Sequence, residues 1–127
     1  MVMETKTILI IDDDQNVIRE IKDFLELEQI GYKVTFANDG ESGFKKIKEA
    51  KPDLILLDLV LPGQSGFKIA QGIKAIPECV DIPIIAISLK TEDIDKHVAL
   101  KCGATEYIEK PIDLDKLIYS IRDILNT

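Results

Sequence analysis

The chain has 127 residues, of which 46% are hydrophobic and 31% charged, the composition of one ordinary globular domain. This length is enough to bury a core without disulfides or metals. Its net charge of −7 argues against a nucleic-acid surface, because phosphate contacts need clustered Lys and Arg. The apolar runs fall far short of the ~18 residues that a membrane helix needs, and no signal-peptide pattern opens the chain. Cys79 and Cys102 lack metal-binding spacing and are expected to be reduced thiols. A cytoplasmic protein that binds neither membrane nor nucleic acid is predicted.

Five short runs of apolar and β-branched residues predict the strands of a sheet. They are Thr7–Ile11, Tyr32–Ala37, Leu54–Leu57, Ile84–Ile87 and Thr105–Ile108. Most of these runs are continuously apolar rather than alternating, which is typical of strands buried on both faces.

Helical periodicity fills the intervals between the strands. The predicted helices are Gln15–Gln29, Glu41–Ala50, Gly66–Ala75, Thr91–Cys102 and a final helix after Asp113, with Pro77–Pro83 as a loop. Asp14 and Asp113 stand where N-caps belong, and Gly31 and Gly103 where helices stop. In the second helix, Ala50 is expected to face inward.

The alternation of strand and helix predicts an α/β fold in which a doubly wound parallel sheet carries helices on both faces. Right-handed crossovers should join its strands. With no internal repeat or linker, residues 1–127 are expected to form a single domain.

Chemically active side chains follow four of the five predicted strands. Three acids, Asp12–Asp14, follow the first strand, Asp58 the third, Ser88 the fourth and Lys110 the fifth. The carboxyl ends of parallel strands share one edge of the sheet, where ligand sites form. Crowded carboxylates require a proton or a shared cation, and oxygen-only ligands favour Mg²⁺. An aspartate beside Mg²⁺ and a lysine can act as a nucleophile and carry an acyl phosphate.

Each of these residues also has a plain structural explanation when taken alone. Asp58 could cap a turn, and Ser88 could be a turn residue. Asp12–Asp14 could cap the start of the first helix, where acids interact favourably with the helix dipole. Lys110 could be a solvated lysine or an ion-pair partner of Asp58. These explanations do not account for all four groups at one edge, so the combined chemical hypothesis is favoured.

Four segments resemble, in order and spacing, the receiver domain of two-component response regulators. They are the acidic cluster after I-L-I-I, then P-D-L-I-L-L-D-L-V-L-P-G, I-P-I-I-A-I-S and A-T-E-Y-I-E-K-P. The resemblance covers nearly the whole chain and implies a flavodoxin-like five-stranded sheet of order 2-1-3-4-5. It also implies a phosphoprotein that acts as a switch in a phosphorelay and catalyses only its own phosphorylation and dephosphorylation.

The resemblance assigns a role to each site residue. Asp58 matches the phosphoacceptor, which receives its phosphoryl group from a sensor histidine kinase or a phosphotransfer protein. Asp12 and Asp13 match metal-binding acids, which with Asp58 and the backbone carbonyl of Val60 would hold Mg²⁺, or Mn²⁺. The remaining assignments are phosphate binding by Lys110 and Ser88, switching by Ser88 and Tyr107, and a cis Lys110–Pro111 peptide bond.

In such a domain, phosphorylation draws Ser88 towards the phosphoryl group and lets Tyr107 turn inward. The surface formed by the fourth helix, fifth strand and fifth helix is then biased towards an effector protein or output domain. Because no linker follows the last helix, a stand-alone regulator is expected.

Four positions depart from the family pattern. Leu89 stands where a small residue is common, so it is expected to narrow phosphoryl access or slow the chemistry. Ser65 replaces a frequent Asp, and Gly43 a frequent Ala, both as structural differences. Ser120 occupies a place where the DNA-binding, winged-helix subfamily tends to have Arg, which argues against the usual ion-pair dimer.

Three other functions are less well supported by the residues than the switch. A pseudo-receiver would keep the fold without the chemistry; the complete acid, hydroxyl and lysine set argues against it, and Leu89 favours it. An aspartyl-phosphate phosphatase needs Asp-x-Asp, whereas Val60 stands two residues after Asp58. Neither nucleotide-binding glycine motif is present. His97 is expected to be a solvated helix residue.

Overall fold

The computed structural model describes residues 5–28, 31–89 and 96–126 of the chain. Its strands are β1 Lys6–Ile11, β2 Tyr32–Ala37, β3 Leu54–Asp58, β4 Val60–Leu61, β5 Gln64–Ser65, β6 Ile84–Leu89 and β7 Glu106–Lys110. Its helices are α1 Gln15–Glu28, α2 Gly40–Glu49, α3 Gly66–Lys74, α4 Lys96–Lys101 and α5 Leu114–Leu125, with a 3₁₀ turn at Pro77–Cys79.

Five of the strands form one parallel sheet in the order β2-β1-β3-β6-β7. Counted within this sheet alone, the order is 2-1-3-4-5, so the expected flavodoxin-like topology is confirmed. The remaining two strands, β4 and β5, pair antiparallel in a small hairpin directly after β3.

The sheet is covered on both faces by helices, as its apolar strands predicted. On one face, α1 and α5 pack against the strands through Ile18, Ile21, Leu25, Leu117, Ile118 and Ile121. On the other, α2 and α3 pack through Ile47, Ile69, Ala70 and Ile73. All five residues of the central strand β3 are buried. Each fully buried Leu or Ile contributes roughly 1.5–3 kcal/mol through removal from water, which makes β3 a rigid support for the residues at its end.

The predicted helix boundaries are largely confirmed by local geometry. Oδ1 of Asp14 accepts the Asn16 N–H at 2.9 Å, and Oδ1 of Asp113 accepts the Asp115 N–H at 3.0 Å. Gly31 and Gly103 have φ of 100° and 110°, left-handed values that suit glycine at a helix end. The inward placement of Ala50 was wrong, because this residue is exposed at the C-cap of α2.

Two differences from the predicted elements bear on function. β3, β6 and β7 run further than expected, so that Asp58, Ser88 and Lys110 lie within paired strands rather than beyond them. The β4–β5 hairpin was not predicted. Residues 91–95, at the start of the predicted fourth helix, lie outside the described residues, as does Gln29 at the end of the first.

A side chain contacts the backbone at one edge of the sheet. Among residues 5–28, 31–89 and 96–126, β2 pairs only with β1, so no described strand pairs with its other side. Glu26 of α1 reaches over that side, and its Oε2 accepts the Val34 N–H at 2.9 Å while Oε1 accepts from Lys22 at 2.5 Å. The contact ties α1 to the outermost strand.

Among the described residues, none of the helices combines the length and the apolar character that crossing a membrane requires.

Candidate functional site

A cleft of about 500 Å³ opens at the carboxyl edge of the sheet. It is lined by Asp13, Asp14, Asp58, Val60, Leu61, Pro62, Leu89 and Lys110, and we call it the acidic cleft. Asp12 lies directly behind it through its contact with Lys110. The residues that the sequence placed at this edge are therefore brought together by the fold.

Three buried charged groups meet at the acidic cleft: Asp58 and Lys110 line it, and Asp12 lies behind them. Lys110 Nζ lies 3.0 Å from Oδ2 of Asp12 and 3.0 Å from Oδ2 of Asp58. Asp58 and Lys110 are the last residues of β3 and β7, Asp12 directly follows β1, and all three are at most 9% exposed. Burying ions costs several kcal/mol each, and two carboxylates around one ammonium also leave a net negative charge. Such a cluster lowers the stability of the folded protein. It suits a site that binds a further charged group.

The electrostatics of the cluster follow from this burial. Removal from water raises the pKa of Asp12 above its usual value, with repulsion by Asp58 adding to the effect and hydrogen bonds to Asp14 and Lys110 opposing it. Burial alone would lower the pKa of Lys110, but its hydrogen bonds and attraction to Asp12 and Asp58 outweigh that effect and raise it. Lys110 therefore stays cationic.

The other carboxylate oxygens of the cluster are oriented by the backbone. Oδ1 of Asp12 accepts the Asp14 N–H at 2.9 Å, and Oδ1 of Asp58 accepts the Val60 N–H at 2.9 Å. Asp13 is exposed, and its carboxylate has no hydrogen-bond or ion-pair partner within the described ranges. Two of the acids are thus fixed, while the third faces solvent at the opening.

These acids have the chemistry of a divalent cation site. One ligand atom each from Asp12, Asp13 and Asp58 can be chosen so that all lie within 4.8 Å of one another. Carboxylate oxygens at this spacing suit a hard cation such as Mg²⁺, which takes one or two carboxylates and keeps several waters. An acidic cluster of this kind therefore fits a divalent cation.

The hairpin after β3 is held against the cleft by a glycine that the sequence analysis did not single out for function. Gly66 donates its N–H to the Leu59 carbonyl at 3.0 Å, and a Cβ on it would stand 2.4 Å from Leu59 Cα and 2.6 Å from the Asp58 carbonyl oxygen. No larger residue fits without moving the backbone beside Asp58. The available signal was the tight Pro-Gly turn followed by a second glycine at the helix start.

A second hydrogen bond anchors the same hairpin to α2. The Gly40 N–H donates to Oε1 of Gln64 at 2.7 Å. Nothing in the sequence marked Gln64, because this contact joins two segments that only the fold brings together.

Ser88 is fully buried, with 0% exposure, and its Oγ has no hydrogen-bond partner within the described part of the chain. It lies one residue after Ile87, which pairs with Asp58 in the sheet. A buried hydroxyl without a partner costs about 1–3 kcal/mol. The next residue, Leu89, is 48% exposed and lines the cleft.

Tyr107 is half-buried on β7, away from the acidic cleft. It packs with Phe67 against a small cluster whose buried members are Leu59, Ala86, Ala99 and Ala104. Leu59 is the chain neighbour of Asp58, so this cluster connects the site to α4.

The remaining predicted residues are also placed by the structure. The Lys110–Pro111 bond is cis. Gly43 packs closely on β1, since a Cβ there would lie 2.7 Å from Ile11 Cδ1. Ser120 donates a hydrogen bond to Oε1 of Glu106 at 2.7 Å within the same chain. His97 is exposed on α4.

Comparison with known proteins identifies the family to which this chain belongs. The profile of a family described as the response regulator receiver domain matches residues 8–122. The response regulator ArlR of Staphylococcus epidermidis is 41% identical over 118 residues, covering 93% of this chain and 52% of ArlR. The phosphate regulon transcriptional regulatory protein PhoB of Pseudomonas aeruginosa is 39% identical over 123 residues, covering 97% of this chain and 53% of PhoB.

A solved structure shows the same architecture. The crystal structure of a two-component response regulator from Clostridium difficile has a TM-score of 0.86 and 31% identity, covering 96% of this chain and 97% of that one. The chain spans about half the length of the curated relatives it matches. Fold, acidic cluster and sequence similarity agree, and the chain belongs to the receiver domains of two-component response regulators.

Proposed function

We propose that this domain, residues 1–127, is a phosphorylation-activated switch in which Asp58 accepts a phosphoryl group from a histidine kinase or a phosphotransfer protein. The observation that carries the proposal is the buried Asp58 carboxylate in the acidic cleft. Its Oδ2 lies 3.0 Å from Lys110 Nζ, and two more carboxylates stand within reach. A nucleophilic acid beside a fixed cation is what acyl phosphate formation requires.

Mg²⁺ or Mn²⁺ would be held by Asp12, Asp13, Asp58 and the backbone carbonyl of Val60. The exposed, unpartnered Asp13 and the short spacing of the three acids support this ligand set. When bound, the ion supplies positive charge that offsets repulsion between the carboxylates and the incoming phosphoryl oxygens.

In the transfer, an oxygen of Asp58 attacks phosphorus while the P–N bond of the donor phosphohistidine breaks. The bonding electron pair leaves with the imidazole, which carries a proton taken from solvent. Lys110 Nζ already lies at hydrogen-bond distance from Asp58, so its ammonium can donate to a phosphoryl oxygen as charge develops there. The domain thereby catalyses its own phosphorylation, and in the same cleft its own dephosphorylation.

Ser88 and Tyr107 would convert the modification into a change of surface. The Ser88 hydroxyl lacks a partner in the described structure, and a phosphoryl oxygen would supply one. Tyr107 packs against three alanines, whose short side chains offer little resistance to an inward turn of the ring. The surface of α4, β7 and α5 then presents a different face to an effector protein or output domain.

The test is phosphorylation with acetyl phosphate and Mg²⁺, followed by mass spectrometry of the intact protein. Wild type should gain about 80 Da, the mass of one phosphoryl group, and lose it on treatment with hydroxylamine. Asp58→Asn should gain nothing. Equal labelling of both proteins would place the phosphoryl group elsewhere, and no labelling of wild type would indicate a pseudo-receiver that acts only as an interaction module.

A further inference from the structure

A shallow groove of about 510 Å³ lies between α2 and α3 and shares no lining residue with the acidic cleft. Residues of both helices and residues 63–65 of the hairpin line it, and we call it the α2–α3 groove. Its apolar lining includes Phe44, which is half-buried, and Ile69, which is buried. The groove therefore offers contacts to an apolar side chain, which gains free energy by leaving water.

The surroundings of the α2–α3 groove are basic, although the chain as a whole is acidic. Lys68 lines the groove. Lys45 and Lys48 each lie one helical turn after a lining residue of α2, Glu41 and Phe44 respectively, and so belong to the same side of that helix. All three lysines are exposed, and none has a hydrogen-bond or ion-pair partner in the described part of the chain. With only Glu41 to oppose them, they give this surface a local positive charge.

The solvent-facing side of α1 has the complementary character. Leu27 is 80% exposed, more than any other large apolar side chain among the described residues. Glu20 and Asp23 precede it by seven and four residues and are also exposed. The three share one face of the helix, away from the residues that pack on the sheet. An exposed leucine beside two acids therefore projects from α1.

These two surfaces lie on opposite faces of the sheet. α1 packs on one face with α5, whereas α2 and α3 pack on the other. The leucine of one copy therefore cannot enter the groove of the same copy.

We infer that the acidic face of α1 in one copy of this domain docks in the α2–α3 groove of a second copy. Leu27 then contacts Phe44 and Ile69. Glu20 and Asp23 lie near the lysines of the groove. Apolar contact and opposite charges thus favour the same arrangement.

Two physical effects make this association weak and open-ended. Each copy carries a net charge of −7, so two copies repel each other at long range. At physiological ionic strength that repulsion is screened beyond about 8 Å, whereas charges close together across the groove are screened less. Because two different surfaces meet, every complex keeps one free surface of each kind, and further copies can add.

Sedimentation equilibrium at physiological salt, with protein from about 10 μM to 1 mM, measures this association. The average mass of wild type should rise steadily above that of one copy as the concentration increases. Lys68→Glu reverses a charge in the groove, and Leu27→Lys removes the apolar contact and places a like charge against the lysines. Each variant should weaken association by at least about tenfold.

Matched substitutions outside both surfaces are the controls. Lys101→Glu, on α4, changes the net charge as Lys68→Glu does. Val80→Lys, at an apolar residue that is 52% exposed, changes it as Leu27→Lys does. Both controls should associate as wild type does, because the docking surfaces are intact.

An equimolar mixture of Lys68→Glu and Leu27→Lys separates head-to-tail docking from any other mode. Each variant keeps one intact surface, so the mixture should form a complex of two copies and nothing larger, while each variant alone remains mostly a single copy. Wild type that stays a single copy up to the highest concentration would overturn the inference and leave the groove to another occupant or none. Association that the two variants do not weaken, or that their mixture does not restore, would also overturn it by placing self-association at another surface.

Discussion

At the scale of single residues, the domain maintains an arrangement that opposes its own stability. Asp12 and Asp58 are buried around one ammonium, and exposed Asp13 adds a third negative charge nearby. Removing one partner from a buried ion pair costs about 3–5 kcal/mol, so Lys110 is needed for the stability of the folded domain. In the proposed function, the same lysine would also donate a hydrogen bond to a phosphoryl oxygen.

The crowding of carboxylates predicts a response to divalent cations. Millimolar Mg²⁺ should raise the thermal unfolding midpoint of wild type, because a cation bound only by the native site relieves repulsion between the acids. At a concentration tenfold above its dissociation constant, the ion would add about 1.4 kcal/mol to the free energy of unfolding. Differential scanning calorimetry with and without Mg²⁺ measures the shift.

Asp13→Asn is the matched control for this response. Asp13 is exposed and has no partner in the described ranges, so the variant should fold normally and lose most of the Mg²⁺-dependent increase. An unchanged midpoint in wild type, or the same increase in both proteins, would argue against Asp13 as a ligand.

At the scale of secondary-structure elements, the site depends on how the β4–β5 hairpin is held beside β3. Gly66 approaches the backbone of Asp58 and Leu59 more closely than any side chain allows. Gln64 ties the other end of the hairpin to α2 through Gly40. The hairpin that carries Val60 is thus fixed at two points.

Gly66→Ala should therefore be strongly destabilising. Its Cβ would meet backbone atoms that cannot move independently, and we expect a loss of at least about 2 kcal/mol in the free energy of unfolding, measured by urea denaturation. Gly72→Ala in the same helix is the control. There the added Cβ would lie 2.9 Å from Cζ of Phe44, the end of a side chain that can shift, and Ala gains roughly 1 kcal/mol of helix propensity. Equal costs for the two variants would contradict the role given to Gly66.

Elements with a strong periodic or apolar pattern were predictable from the sequence. The two-residue strands β4 and β5, and the polar residues that extend β3, β6 and β7 beyond their apolar runs, were not. β3 was evident because Leu54–Leu57 is continuously apolar. The β4–β5 hairpin was missed because two-residue strands are too short to show alternation. Ala50 was placed inward because it continues the helical spacing, but α2 ends before it.

The candidate site was predictable because parallel strands bring their carboxyl ends to one edge, which places Asp12, Asp58 and Lys110 together. What the sequence could not supply is the unpartnered state of the Ser88 hydroxyl and the contact between Gln64 and Gly40. Both depend on packing between segments distant in the chain.

At the scale of the whole molecule, the sheet is a rigid platform with its chemistry at one edge and helices on both faces. Glu26 joins α1 to the outermost strand, and its pKa is lowered by its hydrogen bonds to Lys22 and to the Val34 N–H. A carboxylate whose folded pKa is depressed stabilises the protein above the unfolded pKa, here 4.5, and loses that contribution as pH falls through the folded value.

The stability lost on replacing Glu26 by Gln should therefore depend on pH. The amide oxygen of Gln can still accept from Val34, but its attraction to Lys22 is gone, so the variant should be less stable than wild type near neutral pH. The difference should shrink as pH falls below 4.5. Urea denaturation from pH 7 to about 3 measures it, since the carboxyl titrates within that interval. A stability difference between Glu26→Gln and wild type that stays constant across this pH range would exclude this linkage.

The contact between Glu26 and Val34 also bears on self-association. An open strand edge is a template on which another chain can add a strand, and natural sheets need some device to prevent it. A strand approaching β2 would have to displace the Glu26 carboxylate from the Val34 N–H, which is the hydrogen-bond donor it would itself need. Protonation of Glu26 weakens its hydrogen bond to the Val34 N–H. Acidification should therefore make the β2 edge a preferred site for aggregation to begin, even where the loss of folding stability is small.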